Sequence, residues 1–129
     1  MVITLQLDSD VPLYEQLRNQ IVVGIATGVL EPREKLPTVR QLAEDLGVNT
    51  MTVNKAYALL KQEGYIVIDR RHGAKVNAPS ENDSLQELSP KLAQELELII
   101  AQAAIQGIDP SRFQSLCAPI FAKMTYRYT

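Results

Sequence analysis

Side chains that can hydrogen-bond the bases and phosphates of nucleic acid are concentrated between residues 38 and 75. Thr50 and Asn54 fall in the predicted first turns of a helix, and an Asn amide can pair with the edge of adenine. Arg70 and Arg71 fall at the predicted tip of a hairpin, where cations can meet phosphates. These residue types and their spacing favour recognition of nucleic acid over catalysis.

Thr50 and Asn54 are predicted to lie on the second of two short helices that are joined by a tight corner. Thr38 and Gln41 have the spacing of a capping box, in which the Thr hydroxyl accepts from a free amide and the Gln reaches back. Gly47 supplies the left-handed residue that the corner needs, and Asn49 can cap the next helix. The second helix is therefore expected to begin near Thr50, as in a helix-turn-helix.

The second helix is predicted to bury one stripe and to leave its other faces free. The stripe at i, i+3, i+4 and i+7 consists of Val53, Ala56, Tyr57 and Leu60. The residues away from the stripe are Met51, Asn54, Lys55 and Ala58. After Gly64, residues 65–68 have the composition of a strand. A basic turn at 70–73 then allows 74–76 to return antiparallel, which completes a winged helix-turn-helix.

Several motifs here resemble the GntR family of bacterial transcription regulators. The shared patterns are VPLYEQL at 11–17, LPTVR at 36–40, LAEDLGV at 42–48, TV at 52–53 and EGYI at 63–66. A short chain with Val-Asn at the corner and a small helical tail looks most like the YtrA-like subgroup. The resemblance implies a winged DNA-binding domain, double-stranded DNA as the partner, and C-terminal helices that form the dimer contact.

The residues expected to contact DNA come from the corner, the second helix and the wing. The full set is Thr38, Arg40, Asn49, Thr50, Met51, Thr52, Asn54, Lys55, Arg70, Arg71, His72, Gly73 and Lys75. Arg40 is included because of its place in the Pro-Thr-x-Arg pattern, although a lone Arg is commonly a solvated surface charge. The family often has Arg at the positions of Thr50 and Asn54, so these two positions lack the bidentate guanidinium that reads guanine. The plainer interpretation of the wing cations is a solvated hairpin tip.

Composition limits the size and the partners of the protein. With 129 residues, 46% of them hydrophobic, the chain can form one compact domain and a small appendage. A net charge of −2 and a pI near 5.4 argue against a nonspecific nucleic-acid coat protein. Between residues 31 and 76, Lys and Arg exceed Asp and Glu only by 8 to 6, so a DNA footprint must come from arrangement and from two copies.

The predicted compartment is the cytoplasm. The single Cys117 excludes an internal disulfide. No apolar run has the length of a membrane span or the flanks of a signal peptide, so no membrane partner is expected.

The chain is predicted to divide into three segments with an α+β fold. Residues 1–78 form the winged DNA-binding domain, 79–88 have the polar composition of a linker, and 89–129 form a helical dimerisation tail. Residues 2–7 alternate like a short strand, and Pro12 opens a helix with one apolar face. That face and its extension comprise Leu13, Leu17, Ile21, Ile25 and Leu30.

The two tail helices have matching start signals, a cap followed by Pro at 89–90 and at 109–110, and Gly107 closes the first. Their apolar stripes are Leu92, Leu96, Ile99 and Ala103 on the first helix and Phe113, Leu116, Ile120 and Met124 on the second. Pro119 is expected to kink or shorten the second helix. Two helices alone cannot bury both stripes, so they must pack on the winged domain or pair with a second copy. Pairing is favoured, because DNA readers of this kind gain affinity and register from two-fold symmetry.

The resulting interpretation is a bacterial repressor that binds a pseudo-palindromic operator as a homodimer, without cofactor or metal. Repression would act by occlusion of a promoter and would be relieved by an unidentified small-molecule effector. His72 and Cys117 are the only residues of their types, and they lack the partners that a metal site or a nucleophile needs. No enzyme activity is therefore expected.

Two alternatives stay open from the sequence. A winged helix can bind protein or RNA, since the fold alone does not determine the partner, and Met51 and Ala58 are the hints of an apolar face. The chain can also be a small-ligand sensor. The aromatic residues that would line such a pocket, or else belong to the core, are Tyr57, Tyr65, Phe113 and Phe121.

Overall fold

The computed structural model describes residues 1–78 and 88–124. These two ranges fall in separate units, which we call the winged unit and the tail. The predicted linker at 79–88 lies outside the described residues, except for Leu88.

The winged unit contains three helices followed by a hairpin. The elements are α1 (Leu13–Ala26), α2 (Val39–Leu46), α3 (Thr50–Gln62), β1 (Ile66–Asp69) and β2 (Gly73–Val76). The strands are antiparallel, with Ile66 opposite Val76 and Asp69 opposite Gly73. This order of elements confirms the predicted α+β class and the winged helix-turn-helix.

The core of the winged unit is built on the contact between α1 and α3. Leu17 and Ile21 of α1 and Val53 and Leu60 of α3 are completely buried. The remaining buried residues are Ile25, Leu30, Leu36, Leu42, Ala43, Ala56, Tyr57, Ile66, Ala74 and Val76. Each large side chain withdrawn from water in this way contributes on the order of 1.5–3 kcal/mol. Burial of the predicted stripe therefore determines which face of α3 points outward.

The corner between α2 and α3 is held by the predicted caps. Thr38 Oγ1 accepts from the Gln41 N–H at 3.1 Å, and Asn49 Oδ1 accepts from the Met51 N–H at 2.8 Å. Gly47 has φ +68°, which a side chain would strain. The second half of the capping box does not form as predicted. The Gln41 amide donates instead to Asp45 Oδ1 at 2.9 Å, one turn further along α2.

No strand forms at residues 2–7, contrary to the sequence prediction. Two glutamine side chains of α1 hold the main chain there. Gln20 accepts from the Thr4 N–H at 3.0 Å and donates to the Thr4 carbonyl at 2.6 Å. Gln16 makes the same pair of bonds with Gln6, at 2.8 and 3.0 Å. Side-chain amides one helical turn apart thus replace a neighbouring strand. The apolar side chains that this segment packs against the core are Ile3 and Leu5.

Residues 33–36 add a further edge to the hairpin, which the sequence analysis did not predict. The Leu36 N–H donates to the Ala74 carbonyl at 2.8 Å, and the Val76 N–H donates to the Glu34 carbonyl at 2.9 Å. The wing is therefore anchored on its β2 side to the segment that leads into α2.

The tail consists of α4 (Pro90–Ile105) and α5 (Pro110–Lys123). Both predicted caps form, because Ser89 Oγ accepts from the Leu92 N–H at 3.3 Å and Asp109 Oδ1 accepts from the Arg112 N–H at 2.8 Å. Pro119 does not shorten α5, which continues for another turn. None of residues 88–124 is buried. No helix in the described part of the chain is long and apolar enough to cross a membrane.

Candidate nucleic-acid interface

α3 has a continuous exposed stripe opposite its buried one. The members of this stripe are Met51, Asn54, Lys55 and Ala58, with the same i, i+3, i+4, i+7 spacing. Thr50 at the helix start is also exposed, and Thr52 is half-buried. Because the buried stripe packs on α1, the exposed stripe faces solvent along the first half of α3. That half is the part of a recognition helix that enters a major groove.

An open groove of about 730 Å³ lies between this stripe and the start of α1. The residues that line it are Leu13, Tyr14, Met51, Thr52, Asn54, Lys55 and Ala58. The Lys55 ammonium lies over the Tyr14 ring, 4.2 Å from its centroid, in a cation–π contact. Tyr14 was not among the residues predicted from the sequence, since no local pattern links it to a residue on another helix.

A second cation ties α1 to the far end of α3. The Arg18 guanidinium donates to both carboxylate oxygens of Glu63, at 2.8 and 3.0 Å, and lies over the Tyr65 ring at 5.4 Å. Both charged side chains are mostly buried, at 19% and 15% exposure, so solvent screens this forked pair only partly. The pair secures the C-terminal end of α3, and it was not predicted from the sequence.

Tyr57 belongs to the core, where only 3% of its surface is exposed. Its hydroxyl donates to the Pro37 carbonyl at 2.7 Å, directly before α2. Burial raises the pKa of Tyr57 to about 12, because the phenolate would lose its hydration. This contact fixes α3 against the segment that carries Thr38 and Arg40.

The wing tip is exposed, and the carboxylate of Asp69 forms hydrogen bonds with other residues of the turn. Asp69 accepts from the Arg71 N–H at 2.8 Å and contacts His72 Nδ1 at 3.0 Å. The hydrogen bond with His72, then that with the Arg71 amide, holds the pKa of Asp69 below its usual range. Asp69 thus organises the turn, while the side chains of Arg70 and Arg71 project into solvent.

The other residues predicted to contact DNA lie at the start of α2, at the two helix caps and along β2. Arg40 is exposed in the first turn of α2. Thr38 and Asn49 use their side-chain oxygens as helix caps, so for a DNA contact they retain a hydroxyl hydrogen and an amide NH₂. Gly73 is exposed with φ +75° at the start of β2, and Lys75 is half-buried beside Lys35. None of the wing residues lines the groove beside α3.

A separate groove of about 700 Å³, mostly apolar, lies between α4 and α5 in the tail. Three of the eight predicted interface residues line it, namely Leu96, Ala103 and Phe113. Leu92, Ile99, Leu116 and Ile120 are exposed outside it, and Met124 is half-buried. The lining residues that the predicted stripes omitted include Ile100, Ala104, Cys117 and Phe121.

Comparisons with known proteins assign this architecture to a family. The model of the bacterial regulatory proteins of the gntR family matches residues 13–76, the segment from α1 to the end of β2. The HTH-type transcriptional repressor YtrA of Bacillus subtilis is 31% identical over 101 residues, which cover 78% of each chain. The chain belongs to the gntR family. Members of this family are transcription regulators, so the predictions of the family and of a non-enzyme are confirmed.

Two solved structures of similar proteins extend the match beyond the winged unit. YtrA from Sulfolobus acidocaldarius, described as a GntR-family transcription factor, has a TM-score of 0.66 and 37% identity, covering 81% of this chain and 99% of its own. A transcriptional antiterminator from Listeria monocytogenes EGD-e has a TM-score of 0.80 and 27% identity, covering 93% and 90% of the two chains. These matches support the YtrA-like character of this gntR-family chain.

Proposed function

We propose that this chain is a transcription repressor that binds a pseudo-palindromic DNA operator as a homodimer. The winged unit would contact DNA, and the tail would join the two copies. The observation that carries the proposal is the exposed stripe of α3, which combines an amide, a cation and apolar groups on the face opposite the core. Its relative YtrA of Bacillus subtilis is named a repressor, which supports the proposed direction of regulation.

The wing supplies the second part of the proposed DNA contact. Arg70 and Arg71 are exposed at a turn that Asp69 holds in shape. Because the chain as a whole is acidic, with net charge −2, these local cations and Arg40 must provide the attraction to phosphates. Phosphate contacts would set the register of the protein on the duplex, and the α3 stripe would read the bases.

The tail groove supports the proposed homodimer. Its walls include Leu96, Phe113 and Phe121, which solvent would otherwise cover. A two-fold interface uses the same patch of both copies, so the apolar side chains of α4 and α5 in one copy can be covered by those of the other. The two winged units would then meet half-sites about one helical turn, ~10 bp, or a multiple of it apart. Repression would follow from occlusion of a promoter, and relief by a small effector stays a prediction.

A mobility-shift titration against the DNA upstream of its own gene tests the proposal. We expect selective binding in the presence of unrelated competitor DNA. The affinity should fall steeply between about 50 and 200 mM salt, because several phosphates must be neutralised. An affinity independent of salt would contradict the electrostatic contact assigned to Arg40 and the wing.

Three variants separate the proposed roles. Arg71→Ala should weaken binding to all sequences alike and reduce the salt slope by about one, since it contacts phosphate only. Arg40→Ala should cost about 1–3 kcal/mol if this side chain reaches a base edge. Asn54→Ala should change the ranking of operator variants. Arg112→Ala removes an exposed cation from α5 and is the matched control, which should bind like the unmodified protein.

RNA is the second candidate partner, because a similar solved structure is described as a transcriptional antiterminator. The same titration should therefore include the RNA transcript of the upstream region as a competitor. We expect the DNA complex to persist in excess RNA. Displacement by this transcript, with no displacement by unrelated RNA, would favour an RNA target instead.

A further inference from the structure

We infer that α3 reads A·T base pairs, with Asn54 on adenine and Met51 on the thymine methyl group, while Tyr14 holds Lys55 away from the base edges. The inference rests on the proposed DNA-binding function and names the base pairs that this site selects. It follows from Asn54, Met51 and Tyr14, which line one groove, and from the cation–π contact that restrains Lys55 in the same groove.

Asn54 has the chemistry and the freedom to read adenine. It lies at the middle of the exposed stripe, and its side-chain amide has no hydrogen-bond partner within residues 1–78 and 88–124. An amide offers one donor and one acceptor side by side, which matches N7 and the N6 amino group of adenine in the major groove. Guanine has two acceptors at the corresponding edge, so it satisfies only the donor of Asn54.

Met51 supplies an apolar contact beside that amide. Its side chain is 73% exposed one turn before Asn54, an uncommon place for a large apolar group on a polar face. The rise between the two residues is about 4.5 Å along the helix, close to the ~3.4 Å spacing of successive bases. Met51 and Asn54 can therefore meet neighbouring base pairs. The group in the major groove that an exposed thioether chain fits is the C5-methyl of thymine.

Lys55 is the cation in this part of α3 that could read guanine, and it is engaged elsewhere. Its ammonium lies 4.2 Å from the centroid of the Tyr14 ring, so contact with a guanine edge would require breaking the cation–π pair. The other cation of α3 is Lys61, which lies about 9 Å further along the helix axis. Arg40 of α2 can still contact guanine elsewhere in the site, because A·T is inferred only for the base pairs whose recognition depends on Asn54.

Selection from a randomised duplex pool with the full-length protein provides the first test. Repeating the selection with Asn54→Ala identifies the positions that depend on this residue, and we expect A·T there. In the selected site, 7-deazaadenine removes the N7 acceptor and should weaken binding about 5- to 100-fold. Deoxyuridine in place of the adjacent thymidine removes one methyl group and should weaken binding about 4-fold. The affinity of the Asn54→Ala variant should not change with 7-deazaadenine, and the affinity of the Met51→Ala variant should not change with deoxyuridine.

Variants of Tyr14 test the restraint on Lys55. Tyr14→Leu should release the ammonium and narrow the preference for A·T over G·C at the Asn54-dependent position by about tenfold. Tyr14→Phe keeps the ring face and is the matched control, which should retain the preference. Lys55→Met, which does not depend on the packing of Tyr14, should lower the affinity for every sequence and leave the preference unchanged. Thermal unfolding of each variant separates misfolding from altered selectivity.

The outcomes distinguish this inference from the function on which it rests. A pool that yields no enriched duplex would overturn DNA recognition, and the inference with it. An enriched site with G·C at the Asn54-dependent position would overturn the inference alone. The inference alone would also be overturned if the protein bound duplexes containing either base analogue as tightly as the natural duplex. It would likewise be overturned if Lys55→Met abolished the preference for A·T over G·C.

Discussion

The winged unit and the tail form their helices by the same local rules, yet they differ completely in burial. α2 and α3 begin at a Thr and an Asn cap, and α4 and α5 begin at a Ser and an Asp cap. The winged unit then withdraws 14 hydrophobic residues from water, whereas residues 88–124 contain no buried residue. Caps therefore decide where a helix begins, and tertiary contacts decide whether the unit is stable by itself.

This difference is consistent with the separate tasks proposed for the two regions. A unit with its own core can hold α3 and the wing at fixed geometry before DNA arrives. A helix pair that leaves Leu96, Ile100 and Phe121 at the surface offers an apolar face on which a second copy is proposed to pack.

A chain that ends at Ala78 should keep its fold, because the buried residues of the described ranges, 1–78 and 88–124, all lie before that point. It should be monomeric and should bind the operator about 10²–10⁴-fold more weakly, since tethering makes the second half-site contact intramolecular. Sedimentation and a fluorescence anisotropy titration would measure both changes. A truncated chain that binds the full operator as tightly as the complete one would show that the tail is not the dimerisation element.

Loss of a core side chain should affect only the winged unit. Leu60 of α3 is completely buried in the core, and Leu60→Ala should lower the free energy of unfolding by about 2–5 kcal/mol. Ile105→Ala in α4 removes a side chain that is 86% exposed. This variant should change the free energy of unfolding by less than about 0.5 kcal/mol. Urea titrations of the two variants would compare them directly. Equal losses of stability would contradict the contrast between the two units.

A charge in the tail groove should separate the copies without unfolding the winged unit. Leu96→Asp places a carboxylate in the groove, and its desolvation in an interface should raise the dimer dissociation constant by about 100-fold or more. Leu98→Asp is the matched control, because Leu98 is on the same helix and does not line the groove. Sedimentation at micromolar concentration would show which of the two variants dissociates into monomers. Dissociation by Leu98→Asp alone would place the interface on another face of α4.

The features that could be predicted from the sequence are those with a local cause. The Thr38 and Asn49 caps, the turn at Gly47 and the buried stripe of α3 each depend on residues within two turns of one another. The same reasoning found the Ser89 and Asp109 caps of the tail.

The features that could not be predicted join residues far apart in the chain. The Arg18–Glu63 pair and the Lys55–Tyr14 contact depend on how α1 crosses α3, which no local spacing encodes. Residues 2–7 alternate as a strand does, and only the structure shows that glutamine amides of α1 take the place of a partner strand. The candidate site was therefore predictable for α3 and the wing, and unpredictable where α1 contributes to it.

The smallest predicted effect is a pH dependence that belongs to the winged unit alone. Burial raises the pKa of Tyr57 from 10.0 to about 12, so the neutral phenol is favoured in the folded state. The resulting stability is fully present below pH 10 and should be lost as the pH rises from about 10 through 12. Residues 88–124, the part of the tail that the structure describes, contain no Tyr that could share this dependence.

Tyr57→Phe isolates this contribution. At neutral pH the variant should lose about 1–3 kcal/mol, because the Pro37 carbonyl loses the donor that lies 2.7 Å away. Between pH 10 and 12 its stability should then fall less steeply than that of the unmodified chain, since the buried ionisation is gone. Urea titrations of the chain ended at Ala78, with and without this substitution, would measure the difference. Parallel pH profiles would show that Tyr57 ionises in the folded state as easily as in the unfolded chain, and would contradict its place in a core that the tail lacks.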